Sequence, residues 1–330
     1  MLKTKTLNFH DTHNSRRRFL TLLSSAATLS LINSFPLQAM ANYKNRLYTP
    51  TQIIKLYGTY FIVDCWHHRI LYSKDVNTPL HGWYVLDDDL AGPHSIASNG
   101  SLYVTEDTGR HAIKVYVKHD NQKFELIQTL TNMGIRPHRV LYDSKNKQFL
   151  TVGSGDQSIH IFSEQKNKLK VVFSTKIVEL NKQYCRSITI KDNLLYFVGV
   201  NDILIFELKH HSIGRLVRKI KLDTRYQGSN DLFFNGKGNG LLTATPQKIF
   251  SFSSLSDLEN GTAVDLSNFF KGTPYYIEFF DNKFWIPEIT EYSAINYVTN
   301  LDLDIKERKR IFNYGPPNEA SLKRRNVLPL

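Results

Sequence analysis

The chain has 330 residues, 41% of them hydrophobic and 22% charged, with a formal net charge of +12. That composition excludes disordered, collagenous and integral-membrane classes and supplies enough apolar mass for a sizeable core. Two cysteines, Cys65 and Cys185, exclude a disulfide framework and a cysteine-based metal cluster.

The first 41 residues carry five Lys or Arg against the single acid Asp11, which leaves +8 on the remainder. Such an excess suits an anionic partner such as an acidic glycan, nucleic acid or phospholipid surface, or is simply a solvated basic surface. The order within this stretch is a basic region, a weakly apolar run from Phe19 and a small-residue end at Gln38-Ala39-Met40-Ala41. This is the order of a signal peptide cleaved near Ala41. Ser15-Arg16-Arg17-Arg18-Phe19-Leu20 resembles the twin-arginine export consensus S-R-R-x-F-L at all six positions, although Thr21 stands where Lys is usual. The resemblance implies passage through the twin-arginine export machinery into the periplasm, with the protein already folded. No later apolar run approaches the ~18 residues of a membrane span, so a soluble, monomeric product is expected. No dinucleotide, haem or phosphate-loop motif is present.

From residue 42 onward one segment recurs six times, each copy a short first strand, a turn and an apolar second strand. The copies begin Thr51-Gln52-Ile53, His94-Ser95-Ile96, His138-Arg139-Val140, Arg186-Ser187-Ile188, Asn230-Asp231-Leu232 and Tyr275-Tyr276-Ile277. The third residue is always aliphatic, which fixes the register. Starts are 43, 44, 48, 44 and 45 residues apart, the length of a four-stranded propeller blade. Turn dipeptides follow at Asn99-Gly100, Asp192-Asn193, Asn235-Gly236 and Asp281-Asn282. The pattern predicts an all-β, six-bladed β-propeller over residues 42–315, followed by a basic tail at 316–330 that holds Lys323-Arg324-Arg325. Cys65 and Cys185 then lie on opposite sides of the ring as free thiols.

Val63-Asp64-Cys65-Trp66-His67-His68-Arg69-Ile70-Leu71-Tyr72 resembles the NHL-repeat pattern D-x-x-N-H-R-I-x-V-F, as does the stretch Asp107–Tyr116. Blade three matches in part at Gly155–Phe162, and the later blades keep only the strand skeleton. The resemblance implies the propeller architecture, a role for His68 and His111 in tying outer strands together, and turn-holding roles for Asp64 and Asp107. Propellers of that type bind proteins, RNA or glycans, and related rings include lyases and lactonases.

In such a ring the inner strands line the central channel, so the first residues of the six copies should converge at one mouth: Thr51, His94, His138, Arg186, Asn230 and Tyr275. Asp64, Asp107 and Glu288 should join them from neighbouring loops. A set of His, Arg, Asn and Tyr has the composition of a polar binding pocket, and the Arg186 fork suits carboxylate, sulfate or phosphate. His94 and His138 can hold a divalent cation only if further ligands reach them. Alternatively His94, His138 or Tyr275 removes an acidic proton beside a carboxylate that Arg186 neutralises, the chemistry of a lyase acting on a uronate. Trp66 and Trp285 either stack on a sugar ring or pack, and Asp87-Asp88-Asp89 reads as a solvated turn. The expectation is a periplasmic propeller binding an anionic, glycan-like ligand at Arg186, His94 and His138. Its rival is a metal-assisted or His/Tyr-dependent lyase or hydrolase, and nucleic acid is disfavoured by the export signal.

Overall fold

The computed structural model describes residues 46–289 other than Lys237, together with the strands Ala294–Val298 and Lys309–Asn313. The expected leader and basic tail lie outside the described residues. Six antiparallel sheets follow one another along the chain, each built from consecutive strands. Blade one holds β1 (Pro50–Leu56), β2 (Thr59–Asp64), β3 (Arg69–Ser73) and β4 (Tyr84–Asp87). Blade two holds β5 (Ile96–Ser98), β6 (Leu102–Asp107), β7 (Ala112–Lys118) and β8 (Phe124–Thr131). Blade three runs through β9 (Pro137–Asp143), β10 (Gln148–Gly153), β11 (Ser158–Gln165) and β12 (Lys168–Lys176). Blade four runs through β13 (Cys185–Lys191), β14 (Leu194–Gly199), β15 (Asp202–Lys209) and β16 (Ser212–Lys221). Blade five has β17 (Ser229–Phe234), β18 (Gly240–Ala244), β19 (Lys248–Phe252) and, after a short helix Leu255–Asn260, β20 (Val264–Asp265). In blade six the innermost lane is divided into β21 (Thr273–Pro274) and β22 (Glu278–Phe280), followed by β23 (Lys283–Ile289), β24 (Ala294–Val298) and β25 (Lys309–Asn313).

The architecture is therefore the six-bladed propeller that the repeat spacing predicts. The turn chemistry is equally local in origin. Asp192 and Asn193 both have positive φ, as do Asp281 and Asn282, the conformation that matches a two-residue hairpin to the twist of its strands. Cys65 and Cys185 are free and buried.

Burial grades outward. The second strands β2, β6 and β10 are buried at every residue, whereas outer strands such as β16 are largely open to solvent. Each of the six recurrent aliphatic residues is at most 2% exposed, and each belongs to a different apolar cluster shared with the preceding blade. Ile96 packs with Phe61 and Val63, Val140 with Val104 and Ile113, and Ile188 with Leu150 and Ile159. Leu232 packs with Val198 and Ile203, and Ile277 with Leu241 and Ile249. Ile53 meets Trp285 of blade six and so closes the circle.

Two copies depart from a regular inner strand for a physical reason. The backbone N–H groups of His94 and Ser95 donate to the Glu106 carboxyl at 2.7 and 2.5 Å rather than to a neighbouring strand, so β5 starts only at Ile96. Tyr276 N–H instead donates to the Thr51 carbonyl, and Ile277 N–H to Asp231, which accounts for the break between β21 and β22. The acidic triplet also differs from expectation. Asp89 is solvated, but Asp87 is nearly buried, accepting from Lys114 at 2.9 Å and bonded to the Tyr116 hydroxyl.

The ring closes without strand exchange among the described residues. Gln52 bridges the seam: its Nε2 donates to Glu278 at 2.6 Å while its Oε1 accepts from Ile96 N–H at 2.7 Å. Lys55 and Tyr60 both reach Asp281, at 2.6 and 2.7 Å. Removing Gln52 would leave the buried Ile96 N–H unanswered and take one of two donors from Glu278, an effect of about 1–3 kcal/mol. Gln52→Ala is therefore expected to lower the unfolding free energy by that amount in urea titration; an unchanged midpoint would show that the seam does not depend on it.

Candidate functional site

The first residues of the six copies do meet at one end of the channel. The Thr51 hydroxyl donates to the His94 carbonyl at 2.8 Å. The His94 and His138 rings lie 3.7 Å apart between centroids, and His138 Nε2 stands 2.7 Å from the Tyr275 hydroxyl. Arg186 Nη1 donates to Asn230 Oδ1 at 2.8 Å. Repeat register alone thus sets His138 against Tyr275, 137 positions away in sequence.

Two neighbours at the same repeat offset complete the mouth. Arg136 precedes His138 by two residues and Tyr184 precedes Arg186 by two. The Tyr184 ring meets His138 edge-on at 5.7 Å and has the Arg136 and Arg186 guanidinia 6.0 and 5.4 Å from its centroid. Sequence reasoning missed both, and the signal that finds them is the position two before each inner-strand start. Glu106 was missed as well; it occupies a second-strand site where the other blades carry Val63, Val152, Val198, Thr243 and Pro287.

The electrostatics are unbalanced. Neither Arg136 nor Arg186 has a carboxylate partner within 4 Å among the described residues, and Arg136 Nε is buried without a hydrogen bond. Burial first, and then the charges of Arg136 and Arg186, push the His94 imidazole down to about 3. Burial also holds His138 well below its usual value, helped by His94, Arg186, Arg136 and Arg139. Both rings are therefore neutral at pH 7, and the Nδ1 atom of each is buried with no partner. Burial raises Tyr275, with Arg186 opposing, so its hydroxyl keeps its proton.

Below the mouth the second residues of the copies form a floor. Tyr276 spans the axis from blade six and donates to the Arg186 carbonyl at 2.7 Å. Arg139 lies 4.0 Å from the Tyr276 ring centroid and pairs with Glu278 at 3.0 Å. Both residues are buried. Ser187 donates to Asp231 at 2.6 Å, and the Ser95 hydroxyl accepts from Val140 N–H at 2.8 Å.

The three loop carboxylates are tied elsewhere. Asp64 accepts from Tyr48 N–H at 2.6 Å and Arg69 Nε at 2.8 Å, and pairs with His67 at 2.7 Å. Asp107 accepts from Ala91 N–H at 2.7 Å and Arg110 at 2.9 Å. Glu288 accepts from Lys271 and Gly272 N–H at 2.8 and 2.5 Å. All three sit at one repeat position and pin the segment leading into their own blade. His68 and His111 tie a different pair of segments from those expected: each accepts, at 3.2 and 3.0 Å, from the N–H of Gly92 or Arg136 ahead of the next blade. Trp285 is buried and stacked on Phe280 at 4.8 Å, so it packs. Trp66 meets the His68 ring edge-on at 6.2 Å.

Among the described residues no group of three His, Cys, Asp or Glu side chains can hold a metal ion, and no helix is long and apolar enough to cross a membrane. No family model matches the chain, and no curated protein matches it. Solved structures do share its fold. A candidate 6-phosphogluconolactonase from Bacteroides fragilis is similar with a TM-score of 0.57 at 15% identity, over 80% of this chain and 85% of the other. Streptogramin B lyase gives 0.55 at 14%, over 82% and 84%. Kuenenia stuttgartiensis hydrazine synthase gives 0.56 at 15%, over 83% and 89%. Identities this low establish a common propeller scaffold and nothing finer.

The neutral imidazoles make stability acid-sensitive. The unfolded chain takes up a proton near the ordinary His value of 6.5, whereas folded His94 resists until about 3. Stability contributed by His94 is thus complete above pH 6.5 and lost as pH falls toward 3, at about 1.4 kcal/mol per pH unit. Glu106, pushed up to about 8 by burial against its hydrogen bonds, works the opposite way between pH 4.5 and 8. His94→Asn should flatten the acid limb of unfolding free energy measured from pH 7 to 4; an unaltered limb would rule out a buried neutral imidazole there.

Proposed function

We propose that this six-bladed propeller is an exported, periplasmic protein that binds an anionic ligand, an acidic glycan foremost, at the mouth built by Arg136, Arg186, His94 and His138. One observation carries the reading: two half-buried guanidinia flank Tyr184 with no countercharge among the described residues. Beside them, buried imidazole nitrogens have no hydrogen-bond partner. An unpaired charge held away from water is unfavourable, and a bound carboxylate, sulfate or phosphate relieves it through the planar Arg fork. Asn230 fixes the Arg186 fork by its 2.8 Å bond, which lowers the ordering cost of binding. The neutral histidines and Tyr275 add polar contacts without competing charge. Export rests on the twin-arginine-like Ser15–Leu20 stretch, and a periplasmic address removes nucleic acid from the available anions.

A second reading is favoured by the 2.7 Å contact of His138 with Tyr275. An unprotonated His138 is competent to accept a proton, and Arg186 would stabilise the carboxylate beside the carbanion formed. That pair suits a lyase or hydrolase acting on the same class of ligand.

Calorimetric titration of the exported protein with uronate and sulfated oligosaccharides should show saturable binding that weakens as salt rises. Arg186→Ala should weaken it by roughly 10- to 100-fold, the loss of one or two charge-assisted hydrogen bonds. Wild-type affinity in both Arg186→Ala and Arg136→Ala would remove the site assignment, while appearance of unsaturated product in the same mixtures would favour the lyase. Cell fractionation tests the address: the double change Arg16→Lys, Arg17→Lys should retain the protein in the cytoplasm, and undiminished export would point to an ordinary secretion signal.

A further inference from the structure

The opposite end of the channel carries a site of the reverse electrostatic character. Beyond the floor formed by Tyr276 and Arg139, the downstream halves of the inner strands of blades three to six enclose a cleft of about 200 Å³. Its walls are mixed, with the apolar side chains Leu141, Ile190 and Phe233 and the Tyr142 ring set among polar groups. Its polar groups are mainly acceptors. Glu278 uses Oε1 for Gln52 and Arg139, at 2.6 and 3.0 Å, while no donor reaches its Oε2 among the described residues. Its side chain retains 17% exposure and lines the cleft. Asp231 takes one hydrogen bond on each oxygen, from Ser187 and from Ile277 N–H, and Thr189 directs its hydroxyl proton to the Leu232 carbonyl at 2.7 Å. Arg139 also lines the cleft, and its Nε and Nη1 atoms are buried without a hydrogen-bond partner. Two carboxylates thus face one guanidinium that is already engaged by Glu278.

We propose that this cleft is a second ligand site, separate from the mouth, that takes a small primary ammonium with an apolar or aromatic body. The ammonium would donate to Glu278 Oε2 and to the free lone pairs of Thr189, and the body would replace water against Leu141, Ile190 and Phe233. The volume sets the size. A cavity of about 150 Å³ accommodates benzene, so about 200 Å³ admits a ring with a one-carbon ammonium arm. Burial pushes the Glu278 carboxyl above the usual range, with Arg139 and Gln52 pulling it back, so an incoming cation also supplies countercharge.

Benzylammonium is the probe, titrated into the full-length protein and followed by calorimetry and by ligand-detected NMR, with benzoate as the control of opposite charge. Saturable binding of benzylammonium and none of benzoate is expected. Glu278→Gln should weaken it at least tenfold. Because Glu278 also holds the seam, Leu141→Trp is the second variant: it fills the cleft, leaves the Glu278 bonds in place and should abolish binding. Arg186→Ala should leave benzylammonium binding unchanged, which keeps this result distinct from that of the mouth. Absence of saturable binding to the wild type, preference for benzoate, undiminished binding in Leu141→Trp, or loss of binding in Arg186→Ala would each overturn the proposal.

Discussion

The ring depends on one repeated packing event, in which a single aliphatic side chain from each inner strand is driven into the apolar face of the blade before it. A four-stranded sheet has two faces, and in this protein both are covered by neighbours rather than by a helix layer or a second sheet of the same blade. No blade can satisfy itself. Ile53, Ile96, Val140, Ile188, Leu232 and Ile277 each belong to a cluster that joins residues of their own blade to residues of the preceding one. At roughly 25 cal/mol per Å² of apolar surface removed from water, six such interfaces dominate the favourable side of folding, and they also fix where everything at the axis must stand.

Polar groups at the axis are a consequence of that geometry. Inner strands that converge leave little room, so the residues just ahead of each aliphatic wedge are buried, or half-buried at Arg186, whatever their chemistry, and their donors and acceptors must be answered across blades. In the floor most of them are: Gln52, Ser95, Ser187, Asp231 and Tyr276 clasp the main chain or side chains of adjacent blades. At the mouth several are not. The Nδ1 atoms of His94 and His138 have no partner, and two arginines lie within 6.0 Å of one tyrosine ring centroid. Fully connected polar networks rigidify a structure, and incompletely connected ones mark where something else belongs.

Much of this was legible in the sequence because it is periodic. The aliphatic third position gave the register, the register gave the blade count, and the residue two places earlier gave His94, His138, Arg186, Asn230 and Tyr275 at a common mouth. What escaped was whatever broke the period. Glu106 replaces an aliphatic or otherwise unremarkable second-strand residue, and its capture of two backbone N–H groups shortens β5. Arg136 and Tyr184 lie ahead of the strands, where the copies share no residue type. The loop carboxylates looked like ligands because they fall near the same face. Only their geometry shows that Asp64, Asp107 and Glu288 each answer backbone N–H groups of their own blade's leading segment, a demand that side-chain pattern does not encode. The downstream cleft drew no notice, since Glu278 and Thr189 sit in ordinary strand positions.

The absence of a shared sheet at the seam among the described residues gives the molecule a modular character. Because every described blade is assembled from consecutive strands, a break in the backbone between any two of them would leave all the hydrogen-bonded ladders whole. The pieces would be held by wedge packing, side-chain clasps and isolated main-chain bonds such as that of Tyr276 N–H to the Thr51 carbonyl, the same forces that join separate subunits. In this sense the ring behaves as a cyclic hexamer of tethered pseudo-subunits, and fragments divided at an interblade junction should be able to reassemble in trans into the intact circle.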